Sequence, residues 1–356
     1  MNQIARIREE LIRRGLDAVL VTDEKNQRYA AGFPFTDGVV LVAKEKAFLL
    51  TDSRYIEAAE QQAEGAEVRM FDQQHPLAAL LKQAIAESGA QKIAAEDQKL
   101  SHAGFLAWEK KLGVSLESAG SLFETLRAVK SEEEIASMIH AQRISEQALD
   151  EVLHIIKPGM TEREVAAELV YRMLRHGSEG NSFDPIVVTG TKTSMPHGVP
   201  GDKVIRSGDF VTMDFGCLKD GYCSDMTRTV AVGSATEEMK NVYYTVLKAQ
   251  LAGIAAARAG VKGKDIDNAA RTVIAEAGYG EYFGHGFGHC LGLDIHEPPF
   301  AGPRGEAPLP AGSLSSAEPG IYLPGRFGVR IEDVMIIRED HAEVITKAPK
   351  SELIVL

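Results

Sequence analysis

The sequence predicts an α+β protein in two parts: a small α/β domain, then a larger domain in which an antiparallel sheet is backed by helices. Three observations lead to this prediction. The chain has 356 residues, which is long enough for two domains with a core each. Helical and strand-like patterns alternate over the first third of the chain. From Phe210 onward, short β-rich runs are separated by glycine and proline turns.

The first domain is predicted from its alternating patterns. Apolar residues recur at helical spacing from Ile4 to Ile12, until Gly15 interrupts them. The segments that follow read as strand, strand, strand, helix and strand: Ala18–Val21, Gly38–Val42, Ala47–Thr51, Leu77–Glu87 and Ile93–Ala95. The pattern changes near Glu124–Lys130, so we expect domains at 1–126 and 127–356.

Helix starts in the second domain are predicted from three sequences of the form S/T-x-x-E. In this capping box the hydroxyl caps the helix and the glutamate bonds back to the capping residue. The three sequences are Ser131–Glu134, Thr161–Glu164 and Ser234–Glu237, the last before a helical stretch at Asn241–Arg258. Helices are therefore expected between the strands of this domain.

The composition excludes several classes of protein. Hydrophobic residues make up 44% and charged residues 25%, as in an ordinary globular chain. The formal net charge of −12 disfavours a general attraction to nucleic acid or to anionic lipid. The N-terminus lacks the apolar region of a secretory signal, and no apolar run is long enough to span a bilayer. The cysteines Cys217, Cys223 and Cys290 are too few for a disulfide framework, so we expect a cytoplasmic protein.

The strongest local signal is a predicted hairpin that carries Asp214 and Asp225 around an Asp-Gly turn. If the turn centres on Lys219-Asp220, the two aspartates face each other directly. If it centres on Asp220-Gly221, they are diagonal neighbours on the same face, still within about 7–8 Å. Two carboxylates so close favour a cation between them, although a solvated surface pair would have the same pattern.

The segment Gly284–Glu297 holds three of the ten histidines, His285, His289 and His296. Its glycines argue against a helix, because each costs about 1 kcal/mol there. In an extended strand, His285 and His289 project to one face. The glycines would also let the backbone approach a ligand or a neighbouring strand closely.

A second predicted hairpin carries two more carboxylates. A loop centred on Gly325 places Glu318 opposite Glu332, with Arg330 on the same strand face as Glu332. A surface salt-bridge ladder with Arg330 is the alternative interpretation. Two aspartates, two glutamates and one histidine form an oxygen-rich ligand set that is typical of two-metal hydrolytic sites and suits manganese, cobalt or zinc.

This ordered set resembles the pita-bread-fold metallopeptidases, which include methionine aminopeptidase, aminopeptidase P and prolidase. The resemblance implies a C-terminal pita-bread (creatinase/aminopeptidase) fold and two divalent metal ions per subunit, most commonly Mn²⁺, with Co²⁺ or Zn²⁺ as alternatives. By resemblance, Asp214 chelates one ion, Asp225 and Glu332 bridge both, and His289 with Glu318 completes the other. One departure is Ser315–Ala317, where the family usually has a threonine and a β-branched residue, so weaker support of Glu318 is expected.

The same resemblance implies roles around the metals. His197 would lie beside the substrate, and His296 would hydrogen-bond the scissile carbonyl. His285 and Arg330 match positions that line the substrate pocket in the proline-specific branch. Glu318 would be the catalytic proton shuttle between a metal-bridging hydroxide and the leaving nitrogen.

The N-terminal domain selects the branch of the family. Residues Asn26–Phe33 and Leu49–Tyr55 resemble the domain shared by prolidase, aminopeptidase P and creatinase. Creatinase acts without the metal ligands, which are intact here. We therefore expect a cytoplasmic, homodimeric Xaa-Pro dipeptidase (prolidase) that acts on small proline-containing peptides, with no nucleic-acid or membrane partner. The alternatives are an Xaa-Pro aminopeptidase acting on longer peptides and a non-catalytic binding protein of the same fold.

Overall fold

The chain forms two compact units, the first ending at Arg127 and the second spanning Ala128–Leu356. The computed structural model describes residues 3–356; Met1 and Asn2, where the predicted first domain begins, lie outside the described residues. Each helix among residues 3–356 is either too short or too polar to span a bilayer.

The first unit is a mixed six-stranded sheet packed with helices. Its strands run in the order β4-β3-β2-β1-β5-β6, with parallel pairing at β3/β4, β1/β5 and β5/β6. The strands are β1 Ala18–Val21, β2 Gly38–Ala43, β3 Ala47–Thr51, β4 Glu67–Met70, β5 Ile93–Ala95 and β6 Leu116–Ser118. The helices are α1 Gln3–Arg14, α2 Glu24–Ala31, α3 Ile56–Gln62, α4 Leu77–Ser88, α5 His102–Leu112 and α6 Leu122–Ala128.

The second unit combines long helices with antiparallel sheets. Its helices are α7 Glu132–Leu153, α8 Glu162–Arg175, α9 Glu237–Ala256 and α10 Gly263–Glu276, with short 3₁₀ turns at Gly190–Ser194 and Gly280–Tyr282. Its first strands are β7 Gly180–Asn181, β8 Ile186–Thr189, β9 Phe210–Phe215, β10 Cys217–Lys219, β11 Tyr222–Cys223 and β12 Met226–Ala231. The later strands are β13 Gly288–Cys290, β14 Glu297–Ala301, β15 Leu314–Ala317, β16 Gly320–Leu323, β17 Phe327–Arg330, β18 Asp333–Ile337 and β19 Ala342–Val344.

The antiparallel strands of the second unit form several small sheets. Their orders are β11-β10-β7, β12-β9-β8, β14-β13-β15-β18-β19 and β16-β17. In β9 the side chains of Val211, Met213 and Phe215 join a core cluster with α7 and α8. Because side chains alternate along a strand, Asp214 projects to the opposite face. The alternation therefore turns a carboxylate away from the apolar core.

Two of the three predicted capping boxes are confirmed, and the third is wrong. Ser131 with Glu134 starts α7, and Thr161 with Glu164 starts α8. The cap of α9 is instead Thr236, whose side chain accepts a hydrogen bond from the N–H of Met239. Ser234 lies two residues before this cap, and its N–H donates to the carbonyl of Val232. The cap of α9 is therefore two residues later than predicted.

Candidate metal centre and substrate cavity

The aspartate hairpin has the second of its two predicted registers. Asp214 pairs with Thr227 in β9/β12, and Lys219 pairs with Tyr222 in β10/β11. The turn is therefore at Asp220-Gly221, where Asp220 has a φ of 50°. Asp214 and Asp225 are diagonal neighbours rather than a facing pair.

The second hairpin has the predicted register. Gly320 pairs with Arg330 and Leu323 with Phe327, so the loop centres on Gly325. Glu318 and Glu332 both lie just beyond the open end of this ladder, next to the Gly320/Arg330 pair. The surface-ladder alternative is wrong, because Arg330 is only 4% exposed.

The two hairpins and β13 bring the five predicted ligands together. Ligand atoms of Asp225, His289 and Glu332 all lie within 4.8 Å of one another. His289 Nε2 lies 3.2 Å from Glu318 Oε1 and 3.6 Å from Asp225 Oδ2. Asp214 Oδ2 lies 2.5 Å from Nη2 of Arg330, whereas its buried Oδ1 has no hydrogen-bond partner within residues 3–356.

The electrostatics of this carboxylate cluster, formed by Asp214, Asp225, Glu318 and Glu332 around His289, favour an added cation. Burial raises the pKa of Asp225 and of Glu332 well above the ordinary value, and the charges of neighbouring carboxylates raise them further. Burial also raises the pKa of Asp214, although Arg330 opposes the shift. A cation would relieve this repulsion and would give the Oδ1 atom of Asp214 a partner, so the donor set fits divalent metal.

His289 and Glu318 form an ion pair at the edge of the cluster. Burial works against the charged imidazole, but the hydrogen bond and the charge of Glu318 outweigh it and raise the pKa of His289 to about 9. For Glu318, burial is likewise outweighed by His289, and its pKa is lowered. The imidazole of His289 must therefore lose a proton before its Nε2 can bind a metal.

A hydrogen-bonded chain fixes the wall beside the cluster. Thr227 Oγ1 donates to Glu332 Oε2 at 2.7 Å and accepts from Arg330 Nε at 3.1 Å. Nη1 of Arg330 donates to the Tyr322 hydroxyl at 2.8 Å, and this hydroxyl lies 2.8 Å from His285 Nε2. Because Nδ1 of His285 donates to a backbone carbonyl, its Nε2 is the acceptor from Tyr322. The guanidinium is thus held rigidly against Asp214.

Ser316 supports both His289 and Glu318. Its Oγ donates to Glu318 Oε1 at 3.0 Å and accepts from the backbone N–H of His289 at 3.0 Å. This contact needs Gly288, because a Cβ there would lie 2.1 Å from the Ser316 carbonyl oxygen. The serine in place of the family's usual residue therefore still supplies a hydroxyl to Glu318.

A cavity of about 730 Å³ opens above the cluster. Seven of the nine predicted site residues line it: His197, Asp214, His285, His289, His296, Glu318 and Arg330. Asp225 and Glu332 are buried beside them. Prolines and Phe300 supply apolar surface, so the cavity has the size and mixed lining of a small-molecule or peptide site.

Sequence reasoning missed two supporting residues, Thr227 and Tyr322. Thr227 is opposite Asp214 in the hairpin, and Tyr322 is diagonal to Arg330 in the other. The hairpin registers place each of them next to a predicted site residue, so both can be identified once the registers are known. Neither residue has a motif of its own.

Comparison with known proteins assigns both units of the chain. Residues 136–339 match the model of metallopeptidase family M24. The chain belongs to the M24 metallopeptidases. Residues 3–129 match the creatinase/prolidase N-terminal domain, which precedes the M24 domain.

M24 relatives match this chain over nearly its whole length. A peptidase of Bacillus subtilis described as uncharacterised is 39% identical over 343 residues, 96% of each chain. The structure of an Xaa-Pro dipeptidase from Bacillus anthracis has a TM-score of 0.95 and 42% identity, and the match covers 99% of both chains. That of an X-Pro aminopeptidase from Thermotoga maritima has a TM-score of 0.93 and 36% identity, over 98% of this chain and 100% of the other.

These matches confirm the predicted fold class and enzyme class. The protein is an M24 metallopeptidase with a creatinase-type N-terminal domain and a pita-bread C-terminal domain. A family that uses divalent metal agrees with the cluster at Asp225, His289 and Glu332.

Proposed function

We propose that this M24 peptidase is an Xaa-Pro dipeptidase that uses two divalent ions, most readily Mn²⁺. The observation that carries the proposal is the buried carboxylate cluster with one imidazole at the floor of a 730 Å³ cavity. The Xaa-Pro dipeptidase from Bacillus anthracis supports the substrate class. Two ions bound in the cluster would lower the pKa of a shared water and polarise the substrate carbonyl.

Five residues would hold the metal. Asp225 and Glu332 would serve both ions, as the family resemblance implies, and the ions would relieve the burial and repulsion that raise the pKa values of these carboxylates. Asp214 would serve one ion with its unpartnered Oδ1, and His289 and Glu318 would serve the other. The burial of the cluster supports this assignment, because buried carboxylates need compensation by a cation.

Cleavage before proline makes a particular demand on the remaining side chains. Proline makes the scissile nitrogen tertiary, so that nitrogen must gain a proton as it leaves. Glu318 lines the cavity, and its carboxylate would accept a proton from water and deliver it to the nitrogen. His296 lies next to His289 with ring centroids 4.4 Å apart and would donate to the carbonyl oxygen.

Three further residues would position the substrate. His197 is exposed on the cavity wall and is free to meet the peptide. The guanidinium of Arg330 donates hydrogen bonds to Thr227, Tyr322 and Asp214, so it would be a fixed positive charge in the cavity wall. His285 is held by Tyr322 as a neutral ring, because burial lowers its pKa.

An Xaa-Pro aminopeptidase is the second candidate. The cavity volume and the similarity to the Thermotoga maritima X-Pro aminopeptidase favour it specifically, because longer peptides need room beyond the proline. In both candidates the metal cluster has the same role. The difference is only in what the cavity accepts after proline.

The deciding experiment is an assay of metal-stripped protein on Gly-Pro, Ala-Pro and Gly-Pro-Xaa peptides, with Mn²⁺, Co²⁺ or Zn²⁺ restored separately. We expect cleavage of the dipeptides, fastest with Mn²⁺. Faster turnover of Gly-Pro-Xaa would select the aminopeptidase, and no cleavage with any metal would contradict both. The expected homodimer and cytoplasmic location belong to the same proposal and need a mass measurement in solution and fractionation of cells.

A further inference from the structure

A buried ion pair lies behind the cavity wall, outside the predicted site. Nζ of Lys130 donates to Glu297 Oε2 at 3.0 Å, and the two side chains are only 1% and 6% exposed. Such a pair adds little net stability, because desolvation offsets the attraction between the charges. Its position is more informative, since Glu297 directly follows His296.

Three neighbours hold the carboxylate of Glu297: Lys130, the backbone of Asp294 and Gly292. Its Oε1 accepts from the backbone N–H of Asp294 at 3.1 Å. A Cβ at Gly292 would lie 2.8 Å from Oε2, so the carboxylate is pressed against that glycine. Lys130 is anchored in turn, because its N–H donates to the Gly312 carbonyl at 3.0 Å.

The side chain of His296 makes few contacts that would fix its position. The residue is exposed at the cavity, and within residues 3–356 its ring makes no hydrogen bond. Its ring contact is with His289, at a centroid distance of 4.4 Å and an interplanar angle of 74°. The placement of this ring therefore depends on its backbone, which enters β14 at Glu297, opposite Cys290.

We propose that Lys130 is a positioning residue that sets His296 over the metal centre through Glu297. The ion pair holds Glu297, the first residue of β14, in place, and the preceding residue, His296, lines the cavity. This inference rests on the proposed function only for its kinetic test. A loss of the pair would leave a buried charge without its partner and would let the 292–297 turn move.

The kinetic test is a double-mutant cycle on the metal-loaded enzyme with Ala-Pro. Lys130→Met, Glu297→Gln and Gly292→Ala should each lower kcat about 100-fold, the cost of displacing a reacting group by roughly 1 Å, with KM changed less than about threefold. In a His296→Ala background, each should lower kcat by less than about twofold more. Equal losses in both backgrounds, or no loss in either, would overturn the proposal.

The matched control is Arg172→Met, which breaks the contacts of Arg172 with Glu151 and Glu168 away from the cavity. It should leave kcat within about twofold of wild type in both backgrounds. Should Lys130→Met fail to fold, Glu297→Gln and Gly292→Ala carry the same cycle. Loss of kcat in the Arg172 variant equal to that in the Lys130 variant would mean a general effect of ion-pair loss and would overturn the proposal.

A second readout does not depend on turnover. In metal-free protein labelled with ¹³C at histidine Cε1, the His296 resonance is identified by its disappearance in His296→Ala. We expect this resonance to shift in Lys130→Met and Glu297→Gln and to stay in place in Arg172→Met. An unmoved resonance would overturn the placement, whereas wild-type protein that cleaves no peptide would contradict the proposed function alone.

Discussion

Two adjacent residues, Glu332 and Asp333, enter two different buried charge networks. Glu332 is 1% exposed and faces the carboxylate cluster, where Thr227 donates a hydroxyl hydrogen bond to it. Asp333 is 0% exposed and faces the other way, where it pairs with Arg228 at 2.8 Å and with Lys350. One carboxylate therefore meets two cations of the chain, and its neighbour meets other carboxylates.

The Arg228 network, formed by Arg228, Asp333 and Lys350, satisfies its charges internally. Besides Asp333, the guanidinium donates to four backbone carbonyls, those of Thr227, Glu332, Ala348 and Pro349. Lys350 also donates to Gln250. The contrast indicates that the fold can supply cations for a buried carboxylate, and that the carboxylate cluster is left to be neutralised by metal.

The largest expected effect is on the cluster. Asp225→Asn or Glu332→Gln should lower kcat/KM for Xaa-Pro peptides by more than about 1,000-fold, because each would remove a charge from the proposed metal ligands. The metal-free proteins should be at least as stable as wild type, because a repelling charge is gone. Hydrolysis assays and thermal unfolding check both statements. Asp220→Asn, at the exposed turn of the same hairpin, is the control; retained activity in Asp225→Asn would contradict the two-metal mechanism.

The same substitution in the other network should have the opposite effect on stability. Asp333→Asn would leave Arg228 and Lys350 buried without their counter-charge, and we expect it to lower the free energy of unfolding by about 3–5 kcal/mol. Denaturant unfolding of the metal-free protein measures this, with Asp225→Asn as the matched control. Equal stability of the two variants would remove the distinction between the networks.

The third prediction concerns pH. The pKa of His289 is raised from 6.5 to about 9, so the stability from its proton is complete below pH 6.5 and is lost as pH rises through 9. The raised pKa values of Asp225 and Glu332 act in the same direction. The free energy of unfolding of metal-free protein should thus fall by at most about 3 kcal/mol for His289 over this interval.

Metal binding should have the reverse dependence on pH. Because the ligands must lose protons to bind, the affinity for Mn²⁺ should rise between pH 6.5 and 9. Thermal unfolding with and without Mn²⁺, together with titration calorimetry, follows both trends. The variant His289→Gln should show a smaller fall in stability; an unchanged fall would assign the effect to other groups.

The smallest expected effect tests the support of Glu318. Ser316→Ala removes the hydroxyl shared by Glu318 and the backbone of His289, and should weaken metal binding about 10- to 100-fold. Ser315→Ala is the matched control, because that buried hydroxyl donates only to a backbone carbonyl. Calorimetric titration of the metal-free proteins compares them. Equal affinities would mean that the Ser316 hydroxyl is dispensable.

Local patterns predicted much of this molecule. The helical spacing, two capping boxes and the loop at Gly325 are confirmed by the structure. Sequence patterns gave the wrong helix cap where two possible capping residues are close in the sequence, as with Ser234 and Thr236 before α9. They also left the turn of the aspartate hairpin undecided between two positions, which the pairing of Asp214 with Thr227 decides.

The sequence by itself determined which side chains share a face of each hairpin, because strand alternation and turn chemistry act over a few residues. Only the tertiary structure decided that the two hairpins and β13 meet at one place, and that Arg330 is buried against Asp214 instead of lying on the surface. It also decided that Lys130 reaches Glu297, which is distant in the chain. Such contacts depend on which packed surfaces meet, and no local periodicity encodes that.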